Sequence, residues 1–274
     1  MTEATARDGL SDFDPHTPNV ARMYDYYLGG KDNFAADREA AEKALSVAPE
    51  LRAGAAEVRK FLARTVRYVA NSGIRQFLDL GCGLPTRGNV HEIAQSVAPE
   101  ARVVYVDNDA TVITHARALL ETNPLTKVVQ ADVREPKELL SRPEVRGLLD
   151  LTAPVAVLAV AVLHLLPDDE EVLRIVGVLR EAMAPGSYFV LAHAVGDLRP
   201  EVTSKLATLY TQSTRIQGPS RPNLRGQAEV AQYLDGLELV APGLVPLPEW
   251  RPEPGAEWPH ATPIWTVGGV GRKI

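Results

Sequence analysis

The chain has 274 residues, 45% hydrophobic and 23% charged, with a formal net charge of -6; this fits a soluble globular chain of one large domain, or a domain with an added subdomain, and argues against general nucleic-acid binding. Cys82 is the single cysteine, which excludes an internal disulfide and a thiolate metal cluster, and no Cys/His ligand set suggests a metal. The polar, acidic N-terminus carries no apolar signal region and no apolar run reaches ~18 residues, so a cytoplasmic protein without membrane contact is expected.

Residues 1–15 read as a loose polar tail. Thr17-Pro18 then has the form of a helix N-cap followed by proline at the first helical position. The helix carries Val20, Met23, Tyr24 and Tyr27 on one face and stops at Gly29-Gly30. Lys31-Asp32-Asn33-Phe34 is a polar turn, and a second helix runs from about Ala35 to Ala48. Two readings fit this dense stretch of tyrosines and glycines. It is a helix pair covering a sheet edge, or a lid over a ligand. The lid is preferred, because polar and aromatic groups this dense converge on ligands. A long helix from about Glu50 to Asn71 buries Val58, Phe61, Leu62, Thr65, Val66 and Val69 on one face and ends at Gly73.

Gln76 to Gly83 is the stretch that organises the rest. Phe77, Leu78 and Leu80 form a buried strand that runs into a turn with glycines at alternate positions, Gly81 and Gly83. A helix N-terminus follows, at the carboxyl end of a strand, where a doubly wound sheet binds a nucleotide-like ligand. The dinucleotide fingerprint needs a third glycine, which falls at Thr86. Asp79 would also repel a pyrophosphate and suits a ligand with positive charge. Asp79-Leu80-Gly81-Cys82-Gly83 therefore resembles motif I of class I methyltransferases that use S-adenosylmethionine (SAM). Thr86 caps the next helix or touches the ligand's carboxylate. Cys82 reads as a packing residue, and His91 as a capping or surface residue.

The second strand, Ala101 to Val106, ends in Asp107-Asn108-Asp109. An acid at that strand end can accept from both ribose hydroxyls, while Asp109 caps the following helix. The third strand, Thr126 to Val133, carries Asp132, as a helix cap or as a contact to adenine. The fourth, Pro154 to Leu163, is apolar throughout and so buried on both faces. His164 follows it, as a general base, a structural histidine or a cofactor contact. No Asn-Pro-Pro-Tyr sequence stands at this strand end, which argues against methylation of an exocyclic base nitrogen or a glutamine amide. The fifth strand is Ser187 to His193. Residues 196–226 break the regular pattern and gather Arg215, Arg221 and Arg225, as a solvated loop or as a substrate-side insertion for an acidic substrate. Leu237 to Val240 and Thr262 to Val267 read as a final antiparallel hairpin, with Trp250, Trp258 and His260 in its loop, either lining a pocket or packing.

Three stretches together, Tyr24 to Arg38, Gly81 to Thr86 and Trp250-Arg251-Pro252, are similar to an actinobacterial family of S-adenosyl methyltransferases. The match runs from about His16 to the C-terminus. It implies an α/β fold with a Rossmann-like, seven-stranded, mostly parallel sheet. It places a helical lid over residues 16–72 and the core over residues 73–274. It implies SAM as cofactor and S-adenosylhomocysteine as product. Asp79, Leu80, Gly81, Cys82, Gly83 and Thr86 would then serve the methionine end, Asp107 and Asn108 the ribose, and Asp132 and Val133 the adenine. Ala159, Val160 and His164 would line the fourth strand end, and Met23, Tyr27, Gly29 and Asn33 the lid. The expected activity is methyl transfer to a small molecule. A SAM-binding sensor without transfer activity is the alternative, and a nicotinamide-dependent oxidoreductase is disfavoured by Thr86 and Asp79.

Overall fold

A computed structural model of the protein describes residues 14–214, 224–256 and 258–274. The strands are β1 (Gln76–Leu80), β2 (Arg102–Asp107), β3 (Thr126–Gln130), β4 (Ala156–Val160), β5 (Tyr188–Ala194), β6 (Glu238–Leu239), β7 (Val245–Pro246) and β8 (Thr266–Arg272). They form one sheet in the order β3-β2-β1-β4-β5-β8-β6, with β7 also paired to β8. The first five are parallel, and β8 enters antiparallel beside β5. The order reverses between β1 and β4, so their carboxyl ends open a crevice at the switch point.

The helices are α1 (Val20–Tyr27), α2 (Ala35–Val47), α3 (Leu51–Asn71), α4 (Val90–Val97), α5 (Ala110–Leu120), α6 (Pro136–Ser141), α7 (Pro143–Leu148), α8 (Asp169–Ala182), α9 (Pro200–Ser213) and α10 (Gln227–Ala231). Strand residues alternate between two cores. Phe77, Val103, Tyr105 and Leu158 face α3, α4 and α5. Leu78, Leu80, Val104 and Val157 face α6, α7 and α8. A third cluster joins Met23, Tyr27, Ala41, Ala44 and Leu45 of α1 and α2 to Leu206 of α9 and to Trp265.

The alternating strand–helix pattern expected from the sequence is present, with eight strands among the described residues instead of seven. The additional strand, β7, is two residues long and ends in proline, too short for periodicity to register. The last strand lies further on than Thr262–Val267, because Gly268, Gly269 and Gly271 belong to it. Glycine has low strand propensity. Here it is used because a side chain at Gly268 would collide with Phe61 and Leu247. Asn19, not Thr17, caps α1, its side chain accepting from the Arg22 N–H at 3.1 Å, while Thr17 Oγ1 donates to Asp14. No described helix is long and apolar enough to cross a membrane.

Candidate functional site at the carboxyl edge of the sheet

The turn after β1 is built by its glycines. Gly81 and Gly83 have φ of 66° and 64°, in the left-handed region that side chains disfavour. The N–H groups of Gly81 and Cys82 both donate to the Val106 carbonyl, at 2.8 and 3.0 Å, which holds the turn over the end of β2. A Cβ on Gly81 would lie 2.5 Å from Val162, whereas one on Gly83 would meet nothing within 4 Å. The turn therefore packs against the segment after β4 on one side and opens at Gly83 on the other.

Asp107 stands beside that opening. Its Oδ2 accepts from the Gly83 N–H and its Oδ1 from the Asp109 N–H, both at 3.0 Å. Burial raises its pKa, and the two backbone donors oppose that rise. Asp79 is 6% exposed and makes no hydrogen bond or ion pair among the described residues. Burial pushes its carboxyl up to about 7; the charge of Arg59 counters this in part and Asp107 adds to it. An unpaired buried carboxyl is costly unless a cation comes to it.

Cys82 is partly buried, and burial, followed by the charges of Asp107 and Asp79, pushes its thiol well up, so it packs and does not react. His91 is not at the surface. It is buried behind the turn, where its N–H and Nδ1 meet the Tyr105 hydroxyl at 2.8 and 2.9 Å. The caps of α4 are Asn89 and Glu92, whose Oε2 accepts from the Asn89 N–H at 2.8 Å. Thr86 is tied to this corner, its N–H donating to Asn89 Oδ1 at 3.2 Å.

After β3, Asp132 grips Arg134 at 2.6 Å, with further bonds from Arg134 Nε at 2.9 and 3.1 Å. Partial burial raises the Asp132 carboxyl, but the Arg134 bonds outweigh it and hold it below the usual range. Asn108 is exposed next to Asp107, and Val133 is half-buried.

Ala159 and Val160 close β4, and Ala161 follows with φ 59°, a strained conformation for a residue with a Cβ. Strain of that kind is kept where the surrounding structure fixes it, here opposite the glycine turn. His164 sits in a 3₁₀ turn, Leu163–Leu165, with its ring edge-to-face against His193 at 5.6 Å. Burial, then the charge of Arg225, lowers the His164 pKa to about 4, so its ring is neutral at pH 7. Arg225 is not presented to a substrate. It is buried, with Nε on Asp169 at 2.7 Å and the rest of its fork on the carbonyls of Leu163 and Leu166. Arg215 and Arg221 lie outside the described residues.

The cover over this edge comes from α1, α2 and α9. Met23 and Tyr27 lie inside it; the Tyr27 hydroxyl meets that of Tyr210 at 2.7 Å. Gly29 ends α1 with φ 77°. Asn33 donates to Asp25 Oδ2 at 2.8 Å and to the Gly30 carbonyl at 3.1 Å, bracing the loop from within. Asp37, fully buried, accepts from the N–H groups of Asn19 and Phe34 and pairs with Arg22 at 2.7 Å. Trp250 packs against Phe61 and Tyr68, away from this edge. Sequence reasoning gave no role to Asp25 and Asp37, although both lie in the Tyr24–Arg38 stretch, nor to Arg59, which lies in a helix and carries no motif.

A family described as S-adenosyl methyltransferase matches residues 6–274. The chain belongs to the S-adenosyl methyltransferase family. Two solved structures are similar to this methyltransferase over nearly its whole length. One is a candidate methyltransferase from Thermobifida fusca YX, 43% identical over 99% of both chains with a TM-score of 0.87. The other is a duf574 family protein from Streptomyces avermitilis, 40% identical over 95% of this chain and 99% of that one, with a TM-score of 0.87. An O-methyltransferase family protein from Burkholderia thailandensis, 13% identical with a TM-score of 0.52 over 83% of this chain and 61% of that one, shares the fold. None of the curated proteins compared matches the chain. The methyltransferase uses SAM. The residues at the carboxyl edge fit that cofactor: Gly83 opens the backbone, Asp107 is held at the strand end, and the unpaired Asp79 lacks a cation.

Proposed function

We propose that the methyltransferase transfers a methyl group to a small-molecule acceptor in a covered cleft above β1 and β4. The observation that carries this reading is the cover itself. Asn19 of α1 is bonded to Asp109 at the head of α5, and α2 packs on α9 beside the end of β5. A roof spanning the carboxyl edge from β2 to β5 favours a small acceptor over a protein or nucleic-acid chain. The net charge of -6 favours the same conclusion for nucleic acid.

SAM, when bound, supplies a methyl group already activated by its sulfonium charge. The protein's part is to hold, orient and exclude water. Asp79 would pair with the ammonium and sulfonium end, and Leu80, Gly81, Cys82, Gly83 and Thr86 would shape the backbone around it. Asp107 would accept from the ribose hydroxyls. Asn108, Asp132 and Val133 would border the adenine, with Arg134 already holding Asp132 in place. Ala159 and Val160 would form the floor. Met23, Tyr27, Gly29 and Asn33 would set the shape of the roof. His164 would line the cleft as a neutral ring, since burial and the charge of Arg225 make it a poor proton acceptor at pH 7.

The test uses methyl-labelled SAM and a size-fractionated cell extract. Label is expected in the dialysable fraction, and label in protein or nucleic acid would overturn the small-molecule reading. Calorimetry with S-adenosylhomocysteine should show binding that Asp107→Ala weakens at least about tenfold.

A further inference from the structure

Among the described residues, the buried guanidiniums are paired. Arg22 meets Asp37 at 2.7 Å, Arg64 meets Glu57 at 2.9 Å and Arg225 meets Asp169 at 2.7 Å. Arg59 is half-buried and differs from these. It has no ion-pair partner among the described residues, its one hydrogen bond is from Nη2 to the Gly88 carbonyl at 2.9 Å, and its Nε is buried without any partner. A buried N–H of a charged group left unbonded is expensive.

Its position is the second observation. Arg59 lies on α3, the helix that packs against the Asp79 face of the sheet. Gly88, which it holds, ends the loop that begins at the glycine turn. Its charge is felt by Asp79 at the end of β1, by Cys82 in the turn and by Tyr105. Asp79 is itself unpaired, and the two do not close on each other as an ion pair. One buried anion and one half-buried cation with an unbonded N–H therefore stand near the turn, farther apart than an ion pair. That arrangement is complementary to a zwitterion, an ammonium toward the acid and a carboxylate toward the guanidinium.

We infer that Arg59 is the residue that binds the α-carboxylate of the cofactor's methionine moiety, opposite Asp79 on its ammonium. This rests on the placement of the methionine end at the glycine turn. It takes that role ahead of Thr86, whose backbone N–H is bonded to Asn89 and whose hydroxyl is exposed and 3.4 Å from the Arg87 carbonyl. Arginine suits the task better than a hydroxyl, since its planar fork meets both carboxylate oxygens.

The experiment compares two ligands by calorimetry: S-adenosylhomocysteine and its decarboxylated analogue, which keeps the ammonium and lacks the carboxylate. Arg59→Met should weaken S-adenosylhomocysteine about tenfold to a hundredfold and leave the analogue unchanged. Arg59→Lys should recover part of the loss for the first ligand only. Asp79→Asn should weaken both. Equal loss of both ligands in Arg59→Met, with Arg59→Lys behaving the same way, would overturn the assignment and make Arg59 a brace for the Gly88 loop. No loss for either ligand would overturn it as well. Failure of the wild-type protein to bind S-adenosylhomocysteine at all would instead overturn the cofactor placement on which the assignment rests.

Discussion

Asn19 Nδ2 donates to Asp109 Oδ2 at 2.7 Å, across 90 positions of the chain. Asn19 is the N-cap of α1, and Asp109 caps α5 by accepting from Thr111 and Val112. The Asp109 N–H also donates to Asp107. The roof and Asp107, the acid proposed for the ribose, are thus joined through one short segment.

Asn19→Asp tests that link. Aspartate is as good an N-cap as asparagine, so α1 should persist, but two carboxylates would stand where a hydrogen bond was. The roof should lift. Faster hydrogen exchange and proteolysis are expected over residues 16–50, with the sheet unchanged and S-adenosylhomocysteine bound about threefold to tenfold more weakly. Unchanged exchange in this segment would mean that α1 is held by its apolar face alone.

Asp79→Asn should make the ligand-free protein more stable at neutral pH. Asp79 titrates near 7 when folded against 3.8 when unfolded, so the native state binds the extra proton between these values. Its penalty is absent below about pH 4, grows as pH rises and is complete above about 7. Denaturant unfolding at pH 8 should show a gain on the order of 2 kcal/mol for the variant, which disappears at pH 4. A loss at pH 8 would mean that Asp79 has a stabilising partner in the free protein.

The same titration should appear in cofactor binding. An ammonium near Asp79 favours its ionised form, so binding at pH 6 must first expel a proton. S-adenosylhomocysteine affinity should rise through pH 7, by up to about tenfold per unit below it. Calorimetry in buffers of different ionisation enthalpy should register proton release at pH 6 that vanishes in Asp79→Asn.

Arg225→Met should act on stability and spare the cofactor. The change removes the Arg225 bonds to the Leu163 and Leu166 carbonyls and to the half-exposed Asp169, a loss of about 2 kcal/mol. A lower melting temperature is expected, with S-adenosylhomocysteine affinity within about twofold of wild type. A loss of affinity without a loss of stability would return Arg225 to the ligand.

The local elements were legible because local rules govern them. The apolar period of α3, the alternation and closing glycines of β1 and the terminal acids of β2 and β3 each lie within a few residues of one another. Asp79, Gly83 and Asp107 could be named on that basis, since a strand–turn–helix places its ligand groups at strand ends. The partners of those groups could not. Arg59 reaches the turn from a helix that looks purely structural, His91 turns inward to a tyrosine 14 positions on, and Arg225 folds back under the segment after β4. Each depends on which helix packs on which face, a choice made by the whole hydrophobic core. The sequence by itself determined the alternation of strands and helices, the acids at the strand ends and the chemistry of the motif. Only the tertiary structure decided which charges are paired, and so which are left for a ligand, because pairing is a property of distance in space and burial, not of spacing along the chain.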